Sequence, residues 1–383
     1  MTVTWDSLAR GLADEMWAEG VLRSPEWRAA VEAVPRHRFV PRFFTQDPEG
    51  DWSETSSADE GWLTAVYRNE PLVTALAVTA NGNRVTVSSS TKPGLMVRML
   101  EALDVRDGHR VLEVGTGTGY NAGLLSHRLG ADRVFSVDIG AELVATARVR
   151  LADLGFVPSL SVVHGATGLP EHAPFDRIIA TCSLPKVPWA WAEQVREGGL
   201  VLVDIKRSVH AGNLVLLTRH ADRLEGRFSS RWAGFMAIRD ADVAPEVRSA
   251  AGDLADGTRS TTGLDPLPWS SLVPWFLAHA RLPGELAFGY RGASDQGQPE
   301  WATFSAIDGS WCAVRIRADG NGRREVRQGG PTPVWSVFEA AHEDWLALGR
   351  PGWDRFGLTV TADGRHEVWL DAPDSEQRWL LPM

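Results

Sequence analysis

The chain has 383 residues, of which 39 are Lys or Arg and 49 are Asp or Glu, so its net charge at pH 7 is −10. At about 150 residues per domain, this length predicts two domains or slightly more. The acidic balance argues against sequence-independent nucleic-acid binding, which needs a basic surface. The two cysteines, Cys182 and Cys312, are far apart, so we expect neither a disulfide framework nor a metal site.

The N-terminus, MTVTWDSLAR, lacks the basic-then-apolar order of a secretory signal. No stretch approaches the roughly 18 consecutive apolar residues of a membrane span. We therefore expect a soluble, cytoplasmic protein with no membrane partner. Trp is unusually frequent at 17 residues, yet none lies between Trp62 and Trp189.

Residues 1–62 begin with apolar residues at helical spacing and end in an acidic, Ser-rich stretch, 45–62, that is almost without aliphatic side chains. The first pattern predicts a helical N-terminal layer, and the second predicts an exposed loop.

Predicted strands and helices alternate along residues 63–242. The predicted strands are 110–115, 133–139, 160–165, 177–182 and 200–205, and the predicted helices are 95–103, 120–129, 141–154 and 188–196. Alternation with short connections is typical of a parallel, doubly wound sheet. We therefore predict an α/β catalytic domain over 63–242.

The remainder, 243–383, differs in composition and residue pattern. It starts with a polar, Gly- and Pro-rich stretch at 253–269 and holds nine of the 17 Trp. Its Asp-Gly pairs between short apolar runs indicate hairpins, and 333–349 has helical spacing. We predict an α+β accessory domain, whose Trp side chains either recognise a substrate or form its core.

The most specific local signal is VLEVGTGTGYN at 111–121, which follows an apolar strand and opens a helix. Glycines there let the backbone approach a ligand closely. The spacing G-x-G-x-G differs from the dinucleotide fingerprint, and no phosphate-binding G-x-x-x-x-G-K-[ST] occurs. Asp138 ends the next strand, where its carboxylate suits the hydroxyls of an adenosine ribose. The alternative is a tight turn of purely structural use.

Five ordered motifs resemble those of the protein L-isoaspartyl (D-aspartyl) O-methyltransferases. They are VPRHRFVP at 34–41, YRNEPL at 67–72, SSSTKP at 88–93, VLEVGTGTGYNAGLL at 111–125 and the stretch 169–203. The resemblance implies a Rossmann-like methyltransferase fold, S-adenosylmethionine as cofactor with S-adenosylhomocysteine as product, and methyl transfer to a carboxylate.

The resemblance also assigns site residues. The implied cofactor-binding residues are Glu113, Gly115, Thr116, Gly117, Gly119, Asp138, Ile139, His164, Gly165 and Thr181. A carboxylate is already ionised at pH 7 and needs orientation more than a general base. The expected catalytic residues are therefore the hydroxyl-bearing Ser88, Ser89, Ser90 and Thr91. The alternative is a polar turn in which Thr91 is the N-cap of the next helix.

Two positions depart from the family pattern. Asn69 stands where the family has an acidic residue, and His164 replaces the acid of its adenine-side G-D-G. His164 therefore either stacks on the base or is an ordinary His at a strand end.

The stretches YRNEPLVT, SSSTKP, GTGYNAG and VPWAW are similar to a subset of the family associated with ribosomally made, modified peptides. That resemblance implies that the partner is a cyclised precursor peptide, such as a graspetide or lanthipeptide. Methylation of one Asp would then lead to a succinimide, or aspartimide. The length beyond the catalytic domain argues against the first alternative, an isoaspartyl repair enzyme. The second alternative is a non-catalytic peptide-binding module.

Overall fold

The computed structural model describes residues 4–80, 82–241, 252–293 and 297–382. The α-helices are α1 (Trp5–Ala18), α2 (Pro25–Ala33), α3 (Arg36–Phe39), α4 (Trp62–Val66), α5 (Pro93–Ala102), α6 (Tyr120–Leu129), α7 (Ala141–Ala152), α8 (Trp189–Gln194), α9 (Leu272–Ala278) and α10 (Val334–Ala347). Within the described ranges, no helix is long and apolar enough to cross a membrane.

The strands are β1 (Arg42–Gln46), β2 (Trp52–Ser56), β3 (Leu72–Val78), β4 (Arg84–Ser90), β5 (Val111–Val114), β6 (Val134–Asp138), β7 (Ser159–Val162), β8 (Phe175–Leu184), β9 (Val195–Ser208), β10 (Ala211–Arg219), β11 (Arg223–Phe228), β12 (Thr258–Thr262), β13 (Leu286–Ala293), β14 (Pro299–Ala306), β15 (Trp311–Arg315), β16 (Arg324–Gly329), β17 (Phe356–Thr361), β18 (His366–Leu370) and β19 (Arg378–Leu380). They form a four-stranded sheet (β2-β1-β3-β4), a ten-stranded sheet (β19-β18-β17-β11-β10-β9-β8-β5-β6-β7) and a five-stranded sheet (β12-β16-β15-β14-β13).

One half of the ten-stranded sheet is the predicted α/β unit. Strands β7, β6, β5, β8 and β9 pair in parallel in that order, which confirms the doubly wound fold. All four residues of β5 are buried, as expected for a strand in a sheet that is covered on both faces. The carboxyl ends of these strands meet at one edge, where such sheets bind their ligands.

The other half of this sheet is antiparallel and includes the end of the chain. Strand β11 pairs with β17, which continues to β18 and β19. The stretch predicted as an accessory domain therefore also extends the central sheet, and its other strands form the separate five-stranded sheet.

The prediction of a loop over 45–62 is wrong. Strands β1 and β2 form an antiparallel hairpin across this stretch, and α4 begins at Trp62. The turn is closed by Asp47, whose side chain accepts a 2.8 Å hydrogen bond from the Asp51 amide, and by Gly50 with a φ of +97°. The acidic residues of this segment face solvent, so the absence of aliphatic side chains reflects an exposed hairpin rather than a loop.

The Asp-Gly pairs after residue 300 do form hairpins, as predicted. Asp308-Gly309 joins β14 to β15, Asp319-Gly320 joins β15 to β16, and Asp363-Gly364 joins β17 to β18. Glycine suits the tips because Gly309 and Gly364 have φ values of +84° and +85°.

Several Trp of this region are core residues. Trp275 is fully buried between Phe304 and Phe338, with ring centroids 4.7 and 4.1 Å away. Trp335 is also fully buried, whereas Trp269 is 52% exposed. For the buried Trp side chains, the interpretation as core residues is therefore correct.

Candidate active site

A cavity of about 1240 Å³ lies at the carboxyl edge of the parallel strands. The loop after β5, the end of β6, residues 86–87 and 89–92, and the start of α5 line it. A further stretch, residues 231–241, lines it along its whole length and is called the covering segment below. Among the described residues, no group of three His, Cys, Asp or Glu side chains is placed to hold a metal ion.

The glycine loop turns where β5 ends. Gly115 has a φ of +100°, and a Cβ built on it would lie 2.5 Å from Thr181 Oγ1. Gly115 and Gly117 both line the cavity. Gly119 serves packing instead, because its Cβ would lie 3.0 Å from the Cβ of Ala147 on α7. Thr116 lines the cavity between the first two glycines.

Asp138 and Ile139 also line the cavity, at the end of β6. One carboxylate oxygen of Asp138 accepts a 3.0 Å hydrogen bond from the Gly117 amide, and the other accepts one of 3.0 Å from the Gly140 amide. Arg239 of the covering segment lies 4.0 Å from the same carboxylate. Asp138 therefore holds the glycine loop against the strand end and presents a carboxylate to the cavity.

Glu113 is fully buried below the glycine loop. Its carboxylate accepts hydrogen bonds from Asn121 (2.8 Å) and Ser136 (2.5 Å), and Ser136 also contacts Thr116 at 2.6 Å. Burial raises the pKa of Glu113 to about 7, an effect that these two hydrogen bonds oppose and the nearby Asp138 charge increases. Glu113 acts here mainly as a support for the loop.

The replacement Glu113→Gln should raise the free energy of unfolding at about pH 8 by about 1–3 kcal/mol. Because the folded pKa lies above the ordinary value of 4.5, the contribution of Glu113 to stability is complete only below that value and is lost as pH rises through about 7. Gln stays neutral, and its amide oxygen can accept from Asn121 while its amide nitrogen donates to the Ser136 hydroxyl. Urea unfolding at about pH 5.5 and about pH 8 measures the difference.

Glu142→Gln, at an exposed position in the first turn of α7, is the matched control and should leave the pH dependence unchanged. Equal pH dependence of stability in wild type and Glu113→Gln would contradict the raised pKa.

His164 caps a short 3-10 turn at Gly165–Thr167. Its Nδ1 accepts a hydrogen bond from the Ala166 amide at 3.2 Å, and Nε2 lies 3.4 Å from Asp240. His164 does not line the cavity, so the structure favours a His at a strand end over one stacked on the base. Gly165 does line it, and a Cβ there would lie 2.5 Å from Val114.

Two further residues on β8 line the cavity. The Thr181 hydroxyl donates to the carbonyl oxygens of Gly115 (2.7 Å) and Val114 (3.2 Å), which fixes the start of the glycine loop. Burial raises the pKa of the Cys182 thiol to about 12, so Cys182 stays protonated and is not a nucleophile.

The predicted catalytic run forms the end of β4 and the connection to α5. Ser89, Ser90 and Thr91 line the cavity, whereas Ser88 does not and accepts a 3.1 Å hydrogen bond from Thr74. Helix α5 begins at Pro93 with Lys92 as N-cap. The alternative in which Thr91 is the N-cap is therefore wrong.

Arg36 is a central residue to which the sequence assigned no role. It is fully buried and donates to the carbonyl oxygens of Val66 (2.7 Å), Arg68 (2.9 Å) and Glu70 (3.0 Å). It also contacts the Ser90 hydroxyl at 3.4 Å. Arg36 thereby joins the first motif to the second and third.

Sequence patterns also do not predict that the covering segment belongs to the site, because it contains no recognisable motif. The carbonyl of Met236 accepts a 2.8 Å hydrogen bond from the Ser183 amide, and the carbonyl of Ser183 accepts one of 2.8 Å from the Ile238 amide. The Phe235 amide donates to Asp204 (2.9 Å), and Lys206 donates to the Phe235 carbonyl. The segment is thus fixed to the ends of β8 and β9.

The family profile described as Protein-L-isoaspartate(D-aspartate) O-methyltransferase matches residues 8–230. The chain belongs to this family. Two similar proteins, each named protein-L-isoaspartate O-methyltransferase, come from Pyrobaculum neutrophilum and Methylorubrum populi. They are 30% and 33% identical to this chain, each over 57% of it, and the matches cover 94% and 89% of their own lengths.

A solved structure named protein-L-isoaspartate O-methyltransferase shares the fold, with a TM-score of 0.53 and 20% identity. The match covers 95% of this chain and 100% of the other. The residues beyond the catalytic domain are thus not peculiar to this chain.

Family membership makes the protein an S-adenosylmethionine-dependent carboxyl O-methyltransferase. The cavity fits that cofactor, because two glycines lack the side chains that would fill it and Asp138 presents a carboxylate beside them. The predicted cofactor and reaction class are confirmed.

Proposed function

We propose that this methyltransferase acts on the side chain of an Asp residue in a cyclised, ribosomally made precursor peptide. One observation carries the proposal. One part of the cavity wall, called the cofactor half below, is built from the glycine loop and Asp138 and follows the family pattern. The other part, called the substrate half, includes Asn69 and the Ser-rich run, and there the chain departs from the family pattern.

On the cofactor half, Gly115, Thr116, Gly117, Asp138 and Ile139 would hold S-adenosylmethionine, which supplies a methyl group on a cationic sulfur. Asp138 would accept hydrogen bonds from the ribose hydroxyls. Thr181 and Glu113 would act indirectly, by holding the loop in the conformation that leaves space for the cofactor.

On the substrate half, Ser89, Ser90 and Thr91 would orient the carboxylate through their hydroxyl and amide groups. Asn69 accepts a 2.8 Å hydrogen bond from the Gly94 amide and so fixes the start of α5 beside them. The side-chain amide of Asn69 accepts this hydrogen bond without carrying a negative charge. A negative charge at this position would repel an approaching carboxylate.

The reaction needs no proton transfer in its first step. A carboxylate oxygen of the substrate forms a bond to the methyl carbon as the carbon–sulfur bond breaks, and the sulfur keeps the electron pair. The methyl ester has a better leaving group than the carboxylate. The next backbone nitrogen of the peptide then attacks the ester carbonyl and loses its proton, and methanol leaves as the succinimide closes.

The test is incubation with S-adenosylmethionine and two acceptors, a cyclised precursor peptide and a linear isoaspartyl peptide. We expect the cyclised peptide to gain the mass of one CH₂ group and then to lose methanol, as read by mass spectrometry. The unmodified linear precursor is the matched control for cyclisation, and we expect it to react much more slowly.

Isoaspartyl repair is the second candidate, and the names of the two similar proteins favour it. It predicts broad turnover of isoaspartyl peptides whatever their sequence. Turnover of these peptides without any modification of the cyclised precursor would contradict our proposal and support repair.

A further inference from the structure

Two arginines that line the cavity lie near each other, because Arg98 donates a hydrogen bond to the carbonyl of Trp232, the residue that follows Arg231. Arg98 lies on α5, one turn after Gly94, and Arg231 begins the covering segment. Both line the cavity. Arg231 and the neighbouring Trp232 are exposed, so this pair lies where the cavity opens to solvent.

Arg98 is held in place but its charge is not neutralised. One amino group donates to the Trp232 carbonyl at 3.3 Å, and its Nε is buried without a hydrogen-bond partner. Within the described ranges, no carboxylate forms an ion pair with Arg98, Arg231 or the nearby Lys92. Glu19 lines the same cavity but contributes no ion pair there.

The charges of the pair repel each other. Burial lowers the pKa of Arg98, and repulsion from Arg231 lowers it further, with no carboxylate opposing the effect. A partly buried guanidinium with an unused donor beside a second cation is costly unless an anion occupies the space between them. Guanidinium groups bind carboxylates especially well, through parallel hydrogen bonds.

We infer that Arg98 and Arg231 bind a second carboxylate of the peptide substrate, on an acidic side chain that flanks the methylated residue. The inference rests on the proposed function for the acceptor. It adds that the enzyme selects substrates by a neighbouring negative charge. The acceptor carboxylate itself would reach Ser89–Thr91, before α5, whereas Arg98 lies within α5 and Arg231 lies on the covering segment.

The test compares two cyclised peptides that differ only by Glu or Gln next to the acceptor Asp. Calorimetry in the presence of S-adenosylhomocysteine measures their affinities, so the result does not depend on turnover. We expect the wild type to bind the Glu peptide about tenfold more tightly, and the preference to shrink between about 50 mM and about 500 mM salt.

Arg98→Gln and Arg231→Gln should each reduce the ratio of the two affinities, and the double variant should abolish it. Arg98→Lys should retain part of the preference, because it keeps the charge and loses the forked geometry. The matched control is Arg10→Gln, which removes an equal charge from an exposed ion pair with Asp6.

Equal affinity of the wild type for the two peptides, or binding of neither, would overturn the inference. A loss of S-adenosylmethionine affinity in Arg98→Gln would also overturn it, because the pair would then bind the carboxylate of the cofactor. The proposed function is tested separately by methylation of the Gln peptide. If the Gln peptide is methylated and binds as tightly as the Glu peptide, the inference fails and the proposed function stands.

Discussion

Replacing Gly115 by Ala should weaken S-adenosylmethionine binding by about a hundredfold or more. Two effects add up. The φ of +100° is a conformation that L-residues adopt only under strain, and the new Cβ would meet Thr181 Oγ1 at 2.5 Å. Relief of both requires the loop to move into the space that the cofactor needs. Isothermal titration calorimetry measures the change in affinity.

Gly155→Ala separates backbone strain from the effect on the site. Gly155 has a φ of +80°, is exposed, and has no atom within 4 Å of a Cβ position. Alanine there should reduce stability by about 1 kcal/mol and leave cofactor affinity unchanged. The double variant Gly115→Ala/Thr181→Ala removes the close contact but keeps the strained φ and loses the two hydrogen bonds from Thr181, so its affinity should stay well below that of the wild type. Wild-type affinity in Gly115→Ala would contradict the assignment of the loop.

The glycine loop could be predicted from sequence because its signal is local. A buried strand, three glycines and a helix start follow one another within residues 111–121, and backbone sterics restrict what that pattern can form. The parallel sheet was predictable for a similar reason, since short, mostly apolar strands alternate with helical patterns along the chain. The hairpin over 45–62 was not predicted because the residues of β2 are exposed or half-buried and show no alternation of apolar and polar side chains.

The parts of the site that the sequence did not predict depend on contacts between distant residues. The covering segment is placed by Ser183, Asp204 and Lys206, and none of these has a sequence signal that points to residues 231–241. In the sequence, Arg98 is only one residue of a predicted helix. Its interaction with Arg231 depends on where the folded chain places the covering segment. His164 was ambiguous for the same reason, because the bond to its own turn can be seen only in the folded chain.

Arg36→Met should lower the free energy of unfolding by about 3–5 kcal/mol, the usual cost of removing one partner from a buried charged network. The three carbonyl oxygens at 66, 68 and 70 would lose their donor, and the one at 66 is buried. Burial lowers the pKa of Arg36 to about 10, so the guanidinium is charged at neutral pH and the carbonyl oxygens accept from a cation. Urea unfolding measures the change as a lower midpoint with an unchanged slope.

Arg36→Lys tests whether geometry or charge matters. Lysine keeps the charge but cannot span the three carbonyl oxygens and the Ser90 hydroxyl at once, because its single ammonium lacks the planar fork. We expect it to recover only a small part of the stability and to lower turnover about tenfold, since Ser90 and Thr91 lose their support. Arg38→Lys, at an exposed residue 3.5 Å from Asp153, is the matched control and should change neither quantity. Full activity in a stable Arg36→Lys variant would show that the fork does not position the Ser-rich run.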